Sequence, residues 1–298
     1  MKPKLALLKR STLAASLIAV LLLPACAVKT ARTGAAAPAA PAGISLEYKM
    51  PAGRALTYAS DEEMGQVMDV MGQTIDAHTK SGGTFTFVAK GKKDQNLLLG
   101  VTIDDMSMAI TGPMGDQSPD MSGVKGKTFD MTVSPLGSEI DVSGAEAITY
   151  TTANGTSDVA SGFKLFFPDL PGKPVKVGDT WESTAGLDRK SDGMNVRLDF
   201  KNLETFDGLE TVDGRECARI KSQVTATISG TGSQQGMDVA MSGTGKGTNT
   251  WYFDIKDGIY VKSTSDMTME MAISVSAAGM TIPMTMTQKG ELTLVPNK

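Results

Sequence analysis

One histidine, His78, and two cysteines, Cys26 and Cys217, serve a chain of 298 residues. A lone histidine gives no partner for a Ser-His-Asp or Cys-His constellation, and the chain has no Gly-x-Ser-x-Gly and no His-Glu-x-x-His. Gly126-Lys127-Thr128 ends like a phosphate-binding loop, but Met121 stands where the first glycine belongs. An enzyme is therefore not expected, and no cofactor is called for. Aromatic residues make up only 5% of the chain, and no cluster of lysine and arginine follows the first ten residues. With a formal charge of −4, this excludes a nucleic-acid partner. Asp61-Glu62-Glu63 and Asp104-Asp105 read as solvated charge, not as a cation site.

The longest apolar run is Ser11–Leu23, too short for a membrane span. Lys2, Lys4, Lys9 and Arg10 precede it, and Leu23-Pro24-Ala25-Cys26 follows. That order is a signal peptide over residues 1–25 ending in a bacterial lipobox. It predicts acylation at Cys26 and cleavage before it, so the protein would meet the membrane through an acylated N-terminus. Two or more chains on one residue anchor stably where one does not. Ala27 follows the cysteine instead of Asp, which favours the outer membrane, with the domain in the periplasm. Residues 26–43 continue as an Ala/Pro tether with no large apolar side chain after Val28. With Cys26 acylated, Cys217 has no intrachain partner and reads as a buried structural thiol.

What the chain has in quantity is methionine, 19 in all, with 32 glycines and many threonines and serines. Period-two alternation runs through both halves. Ile44, Leu46 and Tyr48 open the first. Leu97, Leu99, Val101 and Ile103 form a strand whose phase breaks at Asp104-Asp105, as at a β-bulge. Met267, Met269, Met271 and Ile273 share one strand face, and the return strand puts Met280, Ile282, Met284 and Met286 on the same face. Pro283 points the other way and suggests an edge or bulge.

Residues 60–80 are ambiguous. Ser60 with Glu63 resembles a capping box, and Met64, Met68, Met71 and Ile75 fit a helix face. Against this, Gly72–Val88 matches Gly279–Val295 at 6 of 17 positions, and the second copy alternates as strand. A β-hairpin turning at Met71–Thr74 is the expectation. Ala145–Phe167 is the one stretch read as a helix of note, capped by Ser157 with Val159, Phe163 and Phe166 on a face. Thr111–Lys127 reads as a mobile loop. Asp-Gly pairs at 192, 207, 213 and 257 read as hairpin turns.

Leu165–Trp181, LFFPDLPGKPVKVGDTW, separates the halves 44–170 and 171–298. Three prolines exclude a regular helix or central strand, and four large apolar residues exclude a free linker. Its run Leu170-Pro171-Gly172-Lys173-Pro174-Val175-Lys176-Val177-Gly178-Asp179-Thr180-Trp181 resembles the signature of an uncharacterised family of bacterial secreted lipoproteins. Met71-Gly72-Gln73-Thr74 and Gly214-Arg215-Glu216-Cys217-Ala218-Arg219-Ile220 are similar to further features of that family. The resemblance covers most of Ile44–Val295 and implies a fold type and a compartment, but no activity.

The fold expected is mainly β, an antiparallel curled sheet (half-barrel or open barrel) or two packed sheets, built from two related halves with at most one or two short helices. The methionine face reads three ways: as core, as the lining of a cavity for a lipid or other apolar ligand, or as a soft-metal site for copper. A row of sulfurs along a strand does not converge as a copper site should. The leading functional expectation is a non-enzymatic lipid-anchored protein binding a lipid or apolar ligand. A structural or adaptor lipoprotein binding an envelope protein is the alternative.

Overall fold

The computed structural model describes residues 43–113, 115–152, 155–191, 193–234 and 237–296. Cys26, the signal peptide and nearly all of the tether lie outside the described residues. Fourteen strands are named in chain order: β1 Ala55–Val70, β2 Gln73–Lys93, β3 Asn96–Gly112, β4 Gly115–Asp116, β5 Thr128–Val133, β6 Glu139–Asp141, β7 Thr149–Thr152, β8 Gly155–Asp158, β9 Thr180–Ser191, β10 Met194–Val212, β11 Arg215–Gln234, β12 Met237–Asp254, β13 Ile259–Val275 and β14 Met280–Val295.

All but two form a single 12-stranded antiparallel sheet in the order β6-β5-β3-β2-β1-β14-β13-β12-β11-β10-β9, with β4 paired to β3. The sheet is continuous through the β1–β14 pair and does not close. It is one sheet, not two packed ones. β7 and β8 form a separate hairpin.

Alternation dictates most of this. β10 reads buried at Met194, Val196, Leu198, Phe200, Asn202 and Glu204, and exposed at each intervening residue, including Arg197, Asp199 and Lys201. Ion pairs lace the outer face, such as Lys80–Glu63 and Lys201–Glu182. The outside of the sheet is thus charged and the inside apolar, the reverse of a membrane-spanning barrel, whose outward face is an apolar band.

The ambiguous stretch is strand. Met71 and Gly72 join β1 to β2 with φ of +56° and +80°, the two positive values of a type I′ hairpin turn. The bulge falls at Asp104, skipped where Thr84–Asp105 gives way to Phe85–Ile103. Pro283 lies just past the end of the β1–β14 ladder, which stops at Met68–Met284, and pairs with Ala272 of β13 alone, as proline at a sheet margin does.

Three expectations are corrected. The helix around Ser157 shrinks to one turn, α1 (Ala160–Phe163), and Ser157 lies in β8 without capping it. Instead Asp158 Oδ1 accepts from Ala160 N at 2.9 Å; Gly162 and Pro168 keep the turn from propagating. Asp207-Gly208 is not a turn but a bulge within β10. The loop 111–127 is not free: Val124 and Met121 are buried, and Gly126 N donates to Ile103 O at 2.7 Å.

The connector lies inside the curl. Phe166, Phe167, Leu170 and Val175 are buried, and Phe167 meets Tyr48 and Phe87 edge to face. Tyr48 Oη donates to Pro168 O at 3.0 Å. This aromatic core fills one end of the inner face. A second core, rich in methionine, fills the other.

Candidate functional site

The methionine core gathers Met64 and Met68 from β1, Met194 from β10, Met241 from β12, Met269 and Met271 from β13, and Met284 and Met286 from β14. Of the predicted face, Met269, Met271, Ile282, Met284 and Met286 are buried, while Met267, Ile273 and Met280 are half-buried against them. Among the described residues, Leu165 is the one member of this core from outside the sheet. The strands must therefore cover one another here, which is the evidence for curl.

Register explains how the methionines lie. Met267, Met269 and Met271 of β13 stand opposite Gly247, Gly245 and Gly243 of β12. A Cβ on Gly245 would sit 2.5 Å from Met269 Cγ, and one on Gly243 would sit 2.5 Å from Met271 Cγ. The Met-x-Met-x-Met row thus lies flat over a Gly-x-Gly-x-Gly stripe, which frees room for long unbranched side chains. Gln66 Nε2 sits between two of the sulfurs, 3.6 Å from Met64 Sδ and 3.7 Å from Met286 Sδ.

Between the two cores runs a belt of buried polar side chains that the sequence reading did not find. It crosses the inner face through Ser183 (β9), Asn202 and Glu204 (β10), Ser222 (β11), Asn249 (β12), Ser263 (β13), Gln288 (β14) and Glu62 (β1). Register places these side by side, with Ser183 opposite Asn202, Glu204 opposite Ser222 and Ser222 opposite Asn249. Glu204 is its centre and only 1% exposed. Ser222 Oγ donates to its Oε2, Trp251 Nε1 donates to the same oxygen at 3.2 Å, and Ser183 Oγ donates to Oε1 at 3.4 Å. Burial outweighs these donors and pushes its pKa up to about 7. Gln288 Nε2 donates to Glu62 Oε1 at the far side of the belt.

At Glu62 the belt borders a cleft of about 40 Å³ under the β7–β8 hairpin, lined also by Ser60, Phe85, Met106, Tyr150 and Phe163 among others. Such a volume holds about one water.

No protein-family model matches the chain. No curated protein matches it either. Among solved structures, it is similar to an outer membrane channel from Pseudomonas putida at 8% identity, covering 83% of this chain and 97% of that one with a TM-score of 0.24. It is also similar to the hypothetical lipoprotein YmcC from Escherichia coli at 16% identity, covering 80% and 85% with a TM-score of 0.25. At TM-scores this low the likeness decides nothing about the site.

His78 is exposed on β2. Cys217 is fully buried, and burial pushes its thiol up to about 11. Among the described residues no group of three or more His, Cys, Asp and Glu could hold a metal, and no helix is long and apolar enough to cross a membrane.

Proposed function

We propose that this chain is a non-catalytic envelope protein, tethered to the outer membrane through acylated Cys26, whose inner sheet face holds a lipid or other apolar ligand in the periplasm. One observation carries the reading: an unclosed sheet whose methionine-lined inner face is filled by its own side chains and by Leu165 alone from the connector. Methionine is unbranched and has three rotatable side-chain bonds, so such a face repacks around a guest at lower strain than one of Ile and Val. The glycine stripe on β12 seats those side chains without a neighbouring Cβ to clash with them. The charged outer face keeps the protein in water while the inner face is apolar.

The anchor is tested by metabolic labelling with palmitate, in which wild type takes up label and Cys26→Ala does not. For the ligand, solvent extraction of the purified protein followed by lipid mass analysis is expected to yield a lipid in a fixed molar ratio. A lipid-free extract, with no saturable uptake of an added acyl chain, rejects the carrier reading.

The alternative, an adaptor that meets an envelope protein, draws on β9, which among the described residues pairs as a strand with β10 alone and meets the β7–β8 hairpin at Arg189. Exposed strand edges are templates for pairing with another chain. Substituting Thr184 and Asp188 with proline would abolish such a partner's binding and leave acyl uptake unchanged.

A further inference from the structure

The belt gives the proposed ligand a polar end. Along every long strand of the C-terminal half the inner face passes from aliphatic or Met residues, through polar ones, to aromatic or aliphatic ones. β14 runs Met284, Met286, Gln288, Leu292, and β12 runs Met241, Asn249, Trp251. From Ile282 to Gln288 the Met side extends about 20 Å. A single-chain amphiphile lying along the strands would set its tail on the methionines and its head on the belt.

The chemistry of the belt selects that head. Its charged members, Glu62 and Glu204, are both acceptors when ionised. Asn249 is 5% exposed, and its Oδ1 accepts no hydrogen bond; a buried carbonyl without a donor is costly. Among the described residues no lysine or arginine is buried. Arg189, half-buried on the inner side of the β9 edge, is engaged by the Tyr150 hydroxyl. A carboxylate or phosphate head would meet two carboxyl groups and no free cation, whereas a donor head would meet an acceptor that lacks one. Of the belt, Glu62 lines the cleft under the β7–β8 hairpin.

We infer that the belt is a head-group site for a long-chain lipid whose head donates hydrogen bonds and carries no negative charge, a hydroxyl or amine head. This rests on the carrier reading above. The test uses the full chain in mild detergent and a pyrene-labelled acylglycerol as probe, displaced by three competitors of equal chain length: palmitoylglycerol, hexadecylamine and palmitate. The first two are expected to displace the probe at concentrations at least tenfold below palmitate. Asn249→Leu is expected to shrink that preference threefold or more while leaving palmitate unchanged; Asn249→Ala, which removes the same acceptor, serves that purpose if the leucine variant does not fold. Equal or better displacement by palmitate overturns the head-group site and leaves the apolar face standing. Absence of saturable probe binding by folded wild type overturns both.

Discussion

Replacing Glu204 with glutamine should change how stability depends on pH, not merely how large it is. The carboxyl group sits at 1% exposure, with three donors that only partly offset the loss of water. Its pKa rises from 4.5 in the unfolded reference to about 7 in the fold. The folded state therefore holds this proton more tightly than the unfolded chain does. The stabilisation is fully present below pH 4.5 and is lost as pH rises to about 7. Within that window the slope from this one group is about 1.4 kcal/mol per pH unit, and the whole loss is about 3 kcal/mol. Glu139 is also held well above its usual range by burial, so wild type alone does not isolate Glu204. The difference between wild type and Glu204→Gln does, because Glu139 contributes equally to both. Carboxylates held low by ion pairs, such as Asp207 with Lys221 and Arg219, titrate below the window. Urea unfolding at half-unit steps from pH 4.5 to 8 is the assay. Wild type should lose stability relative to Glu204→Gln across the window, with a plateau above pH 7. Parallel curves would show that Glu204 is not buried in a low-dielectric belt.

Three further outcomes follow from packing. Gly243→Ala places a methyl 2.5 Å from the Glu270 carbonyl oxygen, and should cost about 1–3 kcal/mol by chemical denaturation, whereas the outward Thr244→Ala should stay within about 0.5 kcal/mol. Phe167→Ala removes a ring that is 2% exposed from the connector's contact with the sheet and should cost about 3–5 kcal/mol, read as a lowered urea midpoint. Cys217 should resist a thiol reagent in the native protein and react fully in urea, since the thiol is both buried and held protonated; rapid native labelling would contradict its placement.

The strands were legible because a sheet with water on one side writes its burial into the sequence at period two. Val196–Phe200 and Met267–Ile273 are clear cases. The bulge at Asp104 showed as a phase break, and the hairpin at Met71-Gly72 showed through its internal match. The helix failed because apolar residues three and four apart, Val159, Phe163 and Phe166, are buried as single anchors of an irregular segment, not as one face. The polar belt was hidden for a different reason. Asn202, Glu204, Asn249 and Gln288 keep the inward phase of their strands, but a polar residue in an alternating run reads as a strand end. Carrying the phase through such residues to Phe206, Trp251 and Leu292 would have exposed them. Register, which aligns them across strands far apart in sequence, is visible only in the folded sheet. The packed connector was legible from its prolines and from Phe166, Phe167 and Leu170, which are buried; the resemblance at Leu170–Trp181 said nothing of the belt.

The central claim is that the inner face takes an apolar guest. Native mass spectrometry of the chain from Ile44 onward, which carries every strand of the sheet, tests it most directly when the protein is purified from a bacterial envelope without detergent. The account predicts an added mass of lipid size that disappears on denaturation. A native mass equal to that of the bare polypeptide would make the methionine face a core and nothing more.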